Sequence, residues 1–152
     1  MARAVVWLLS VSAFKVAAGQ TARPQKLEVE QQIDVVANDY AFTPLPARVT
    51  AGPTVFTFSN HGTVQHEASL ARLKEGATID DVLKLIKEGG RPRDVVERSI
   101  GILIARPGQR PDGKLWVELL PGRSYMLICT LKDNPDAPVH AMLGMYTGFK
   151  AQ

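Results

Sequence analysis

Turn signals cut this chain into short β-prone runs almost from end to end. From Leu27 onward the breaks are Asn38-Asp39, Ala51-Gly-Pro53, Pro107-Gly108, Asp112-Gly113 and Pro121-Gly122. Between them lie Ile33-Asp-Val-Val-Ala37, Val55-Phe-Thr-Phe-Ser-Asn60, Ala68 to Leu73, Ile100 to Ala105, Leu115 to Leu120 and Tyr125 to Cys129. The phenylalanine run alternates with period two, which puts Phe56 and Phe58 on one face and Thr57 and Ser59 on the other. Pro44-Leu-Pro46 suits an edge or connector, because proline cannot donate to a strand ladder. Many short strands with turns between them predict a β-sandwich or barrel.

One segment departs from that pattern. Ile79, Val82, Leu83 and Ile86 recur at helical spacing, Thr78 stands three residues before Asp81 as a capping box, and Gly89-Gly90 follows as a stop. The spacing predicts a helix over Thr78 to Glu88, inserted between two strands within an interruption of about residues 74–98. Its apolar face is expected to cover one end of the sandwich core, the alternative being a partner-binding face. Arg91-Pro-Arg93 reads as a solvated turn, and there are no internal repeats.

The start of the chain is of another kind. Met1-Ala-Arg3 is basic, Ala4 to Phe14 carries no charge, and Val16-Ala-Ala-Gly19 supplies small residues. Residues 1–19 therefore read as a secretory signal peptide, cut after Ala18 or Gly19. The alternative, a membrane anchor, needs about 20 apolar residues, and Lys15 closes the run early. Cleavage would leave residues 20–152 as one domain with no membrane span. It would also remove Arg3 and Lys15, leaving 16 basic residues against 15 acidic from a full-length formal net charge of +3. Scattered lysines and arginines and so small a balance predict no nucleic-acid binding. Cys129 is the single cysteine, so no disulfide forms within the chain.

Two stretches concentrate donor atoms. Cys129 is followed after ten residues by His140, and that after four more by Met145. Upstream, Asn60-His-Gly-Thr-Val-Gln-His66-Glu67 follows the phenylalanine strand. Two imidazoles, one thiolate and a weak thioether form the ligand set of a mononuclear blue-copper site. Each residue has a plainer reading alone: Cys129 as a small buried hydrophobe, His140 as a loop histidine, Met145 as packing. Zinc is conceivable for a Cys-His-His set closed by water or a carboxylate. A Cys129/His140 nucleophile pair fits poorly, because Cys129 ends an apolar strand rather than lying in an exposed electropositive setting.

In these residues the chain resembles the cupredoxins, the small type 1 copper proteins. The resemblance is carried by Val55-Phe-Thr-Phe-Ser-Asn60, Gly62, His66-Glu67, Tyr125-Met-Leu-Ile-Cys129 and His140-Ala-Met-Leu-Gly144-Met145. It covers roughly residues 33–149 outside the helical interruption. It implies an all-β, Greek-key, cupredoxin-like sandwich with one inserted helix. It also implies one type 1 copper, with His66, Cys129 and His140 as equatorial ligands and Met145 as the axial one. Met142 competes for the axial place but lacks the preceding glycine. His61 has no counterpart in the family pattern and is expected at the surface, while Asn60 and Glu67 are candidates for orienting the site or for plain turn roles. Plastocyanin-like members place the second histidine only a few residues after the cysteine, whereas ten intervene here. With two of three histidines engaged and no His-x-His pair, no second copper centre is expected. The implied activity is one-electron transfer between redox partner proteins in the periplasm or outside the cell, by a monomer and not an enzyme. The alternatives are a copper-holding or copper-delivering module without redox work, and a metal-free sandwich for protein interaction.

Overall fold

Val55 to Asn60 lies in an interior strand of its sheet, and its polar as well as its apolar residues are buried. In the computed structural model, which describes residues 31–152, this strand is β4 (Gly52–Asn60). It pairs in parallel with β1 (Gln31–Asn38), from Gln31 opposite Thr54 to Ala37 opposite Asn60. On its other side it pairs antiparallel with β7 (Leu115–Leu119). A two-residue turn at Asp39-Tyr40 folds β1 back onto β2 (Ala41–Phe42), completing a sheet of order β2-β1-β4-β7. The second sheet has the order β3-β9-β8-β5-β6. Its members are β3 (Arg48–Val49), β5 (His66–Leu73), β6 (Val96–Ala105), β8 (Ser124–Ile128) and β9 (Tyr146–Ala151). The two sheets form the expected Greek-key sandwich. Pro44-Leu-Pro46 connects β2 to β3, as its prolines require.

The core between the sheets follows the period-two pattern. Val35, Phe56, Phe58, Leu70, Leu103, Leu119, Tyr125, Leu127 and Phe149 are buried together there. Tyr125 stacks on Phe149 with ring centroids 5.3 Å apart, and its hydroxyl accepts a hydrogen bond from the Leu120 amide at 2.8 Å. Strand β6 starts at Val96, earlier than its apolar run suggests. Irregular register at Leu70/Ala71 and Arg72/Leu73 lets the antiparallel pairing with β5 continue that far.

The inserted helix α1 runs over Ile79–Lys87 behind Thr78. The Thr78 hydroxyl accepts from the Asp81 amide at 3.3 Å and the Asp81 carboxylate accepts from the Thr78 amide at 2.8 Å, so the capping box forms as its spacing predicts. Its location differs from the expectation. The helix does not close an end of the sandwich; it packs on the outer face of the second sheet. Val82 is buried there with Ala71, Leu73, Met126, Ile128 and Ala141. The cause lies in β8, which is apolar at every position from Tyr125 to Ile128. Leu127 turns into the sandwich while Met126 and Ile128 turn outward and need a cover. Arg91-Pro-Arg93 leads into an exposed 3₁₀ turn, as a solvated turn should. The export segment expected over residues 1–19 lies outside the described residues. Among those residues no helix is long and apolar enough to cross a membrane.

Candidate metal centre

Two strand ends and one turn meet at one pole of the sandwich, and each delivers one donor residue. Asn60 ends β4 and organises the loop that follows. Its side-chain amide donates to the carbonyls of Val64 (2.8 Å) and Ala105 (3.0 Å), and its Oδ1 accepts from the Gly62 amide (2.8 Å). Fully buried and satisfied at both ends, Asn60 ties the 61–65 loop to the end of β6, and the chain re-enters the sheet at His66. Gly62 lets the loop pass close to Asp39 and His66. A Cβ on it would stand 2.5 Å from Asp39 Oδ1 and 3.1 Å from His66 Nε2.

Cys129 follows β8 directly. Its amide donates to the Met145 carbonyl at 3.1 Å and its carbonyl accepts from the Ala141 amide at 2.9 Å. His140 opens a 3₁₀ turn, His140–Leu143, which ends on Gly144 in the left-handed region at φ 110°. That geometry favours glycine and brings Met145 back beside Cys129. Met145 is fully buried in the same cluster as Cys129, whereas Met142 is 40% exposed on the turn.

The donor atoms converge. His66 Nδ1 and His140 Nδ1 are 3.1 Å apart, and Cys129 Sγ is 3.4 Å from His140 Nδ1. One donor atom from each of the three residues lies within 4.8 Å of the others, and all three side chains are buried. Burial pushes the Cys129 thiol up from its ordinary value, partly offset by the Glu67 amide that points at Sγ from 3.4 Å. Burial also pulls His66 below the usual imidazole value, helped by the neighbouring His140. Both shifts favour the neutral forms of Cys129 and His66, and a bound metal would displace the thiol proton. His66 Nε2 is a buried polar atom with no hydrogen-bond partner, and its nearest carboxylate, Asp39 Oδ1, is 3.9 Å away. Closely set soft and borderline donors facing one another, with an incompletely satisfied imidazole among them, fit a metal ion better than a self-sufficient hydrogen-bond network.

Glu67 and Asn60 are both buried and hydrogen-bonded into the elements around the site. The Glu67 carboxylate accepts from the amide (2.9 Å) and hydroxyl (2.7 Å) of Thr130, fixing the residue after Cys129, while its own amide addresses the sulfur. His61 is exposed, as expected. Two residues at the site were not singled out by their sequence context. Asp133 accepts from His140 Nε2 at 3.0 Å, and Tyr40 donates its hydroxyl to the other Asp133 oxygen at 2.5 Å. Asp133 sits in the ten-residue excursion between Cys129 and His140. That extra length, carrying an acid, is the one sequence signal that bears on it.

No protein-family model matches the chain, and no curated relative does. Solved structures do. Auracyanin B matches at a TM-score of 0.55 and 17% identity, covering 82% of this chain and 90% of that one. Dithionite-reduced auracyanin from Roseiflexus castenholzii matches at 0.54 and 18%, covering 82% and 98%. The fold is that of the cupredoxins. Auracyanin A from Chloroflexus aurantiacus, described as a blue copper protein, shares it at 0.51 and 19% identity, over 80% of this chain and 98% of its own. The cupredoxin resemblance of the sequence is therefore borne out in the fold. Helix α1, expected between two strands, lies between β5 and β6.

Proposed function

We propose that this chain is an exported type 1 copper protein that carries single electrons between redox partner proteins. The observation that carries the reading is the buried convergence of His66 Nδ1, His140 Nδ1 and Cys129 Sγ at one end of a rigid sandwich. His66, Cys129, His140 and Met145 would hold the metal, Met145 through its weakly donating thioether. The chemistry that copper supplies when bound is one-electron exchange between Cu(II) and Cu(I).

The protein's part is to keep the donor set still and dry. Cys129 is fixed by backbone bonds to Met145 and Ala141, His66 by the Asn60-organised loop, and His140 by the Leu131 carbonyl, which accepts from its amide at 2.9 Å. A donor set that moves little between oxidation states lowers the reorganisation that accompanies each transfer. Burial of all the ligands excludes water that would add to it. Nothing in this scheme requires a substrate to be bound or transformed, so the reading is of a carrier and not an enzyme. Export rests on the signal-peptide pattern of residues 1–19, and a near-neutral mature chain acting as a monomer is expected to meet its partners without strong electrostatic steering.

The test is optical. Purified protein loaded with Cu(II) is expected to show an intense thiolate-to-copper absorption that bleaches with a one-electron reductant and returns on reoxidation. Cys129→Ser is expected to remove the band. Copper uptake without colour would replace the carrier reading with a holding or delivery module, and no uptake would leave an interaction domain.

A further inference from the structure

His140 differs from His66 in how its outer nitrogen is held. Its Nε2 lies 3.0 Å from Asp133 Oδ1, and the second oxygen of that carboxylate accepts the Tyr40 hydroxyl at 2.5 Å. The Tyr40 ring also stands edge-on to the His140 imidazole, with centroids 5.0 Å apart at 83°, and to that of His66, at 6.1 Å and 84°. Tyr40 occupies the turn between β1 and β2 with φ 56°, a left-handed conformation unusual for a bulky residue. The turn thereby presents its phenol to a loop 93 residues further along the chain.

We propose that Asp133, braced by Tyr40, is a positioning residue that selects the metal-binding tautomer and ring orientation of His140. A carboxylate can only accept, so His140 must keep its proton on Nε2 and leave Nδ1 bare. Nδ1 is the atom that faces Cys129 Sγ at 3.4 Å and His66 Nδ1 at 3.1 Å. Turning the ring over would forfeit the Asp133 bond, so one contact fixes both the tautomer and the rotation. Outer-sphere partners of this kind are general devices for orienting metal-ligating imidazoles. His66 has no such brace. Asp39 is 3.9 Å from its Nε2 and already accepts from the Thr63 amide at 2.6 Å. With His140 Nδ1 bound to accept, His66 is the imidazole that adapts, donating from Nδ1 in the metal-free protein and giving up that proton when a metal enters. The long excursion between Cys129 and His140 thus supplies the acid that a short loop could not carry.

The inference rests on the metal-site reading, but its first test needs no metal. Nitrogen-15 NMR of histidine-labelled, metal-free full-length protein is expected to show His140 protonated at Nε2 and His66 at Nδ1. Asp133→Ala is expected to give His140 mixed tautomers and to raise the Cu(II) dissociation constant about 10- to 100-fold. Asp133→Asn, whose amide oxygen still accepts from Nε2, should retain the tautomer and lose less affinity. Tyr40→Phe should weaken binding in the same direction by less than Asp133→Ala. A wild-type His140 carrying its proton on Nδ1 would overturn the proposal. So would an Asp133→Ala protein, folded by circular dichroism, whose His140 tautomer is unchanged. If wild type binds no copper, the function proposed above fails while the tautomer measurement still decides the role of Asp133.

Discussion

The Nδ1 atoms of His66 and His140 stand 3.1 Å apart inside a pocket that excludes solvent. Two imidazole nitrogens that close can share one proton or face one cation, but they cannot both be protonated without direct repulsion. The metal-free protein therefore holds one proton between the two nitrogens, an arrangement that a second proton at low pH disrupts and a metal replaces.

That relationship sets a pH dependence. His66 has a folded-state pKa below the ordinary imidazole value of 6.5, because burial and His140 both disfavour its charged form. The unfolded chain then binds more protons than the folded one as pH falls below about 6.5. Stability from this source is present above that pH and lost beneath it, by up to about 1.4 kcal/mol per pH unit. Urea denaturation of the metal-free protein between pH 7.5 and 5 should show the loss, and His66→Gln should flatten the slope. An unchanged slope in His66→Gln would assign the dependence elsewhere.

Asn60 is the bracket for the loop that carries His66. Asn60→Ala leaves the Val64 and Ala105 carbonyls and the Gly62 amide without their partner. Unsatisfied buried groups cost about 1–3 kcal/mol each before relaxation, so a total loss of about 3 kcal/mol is expected. Denaturant midpoints measure it, and copper affinity should fall with it because His66 loses its anchor.

Gly62→Ala probes the same corner by addition. Its methyl group would sit 2.5 Å from Asp39 Oδ1, so the carboxylate must leave its position on Thr63. Asp39 is exposed and can swing aside, so the expected cost is that of its bonds to Thr63, about 1 kcal/mol. Wild-type stability in Gly62→Ala would mean that the Asp39–Thr63 bonds contribute nothing measurable to the fold.

Thr78→Ala serves as the contrast. It removes the hydroxyl that accepts from the Asp81 amide and so breaks the capping box of α1, at an expected cost of about 1 kcal/mol. Because α1 lies on the outer face of the second sheet, the optical spectrum of the copper-loaded protein should not change. A spectral shift would tie the insertion to the site.

How much of this was legible in advance depended on whether a feature is local in the chain. Phe56 and Phe58 announce their shared face because alternation is a property of neighbours, and Thr78 with Asp81 announces a helix start for the same reason. Cys129, His140 and Met145 stand out because all three lie within one loop and turn. Where α1 would pack was not legible. Its apolar stripe says that something must be covered, and only the double-sided burial of β8, a consequence of sheet order, says what. Tyr40 and Asp133 were hidden more deeply. An Asp-Tyr pair beside a strand and an acid in a proline-rich loop carry no mark until the β1–β2 turn and the Cys129–His140 excursion are brought together in space.

The backbone bond from the Cys129 amide to the Met145 carbonyl, at 3.1 Å, has a consequence for how such a chain can change. It pinches the stretch between them shut at its base, with the Ala141 amide adding a second stitch at 2.9 Å. Within it the His140 amide is stitched to the Leu131 carbonyl at 2.9 Å, so only residues inserted or deleted in the outer arc between Asp133 and His140 leave both the strands and the donors in register. Each doubling of its length adds only about 0.6 kcal/mol of closure entropy. The arc beyond Asp133 and before His140 can therefore change in length without moving the donors that the rest of the stretch holds in place.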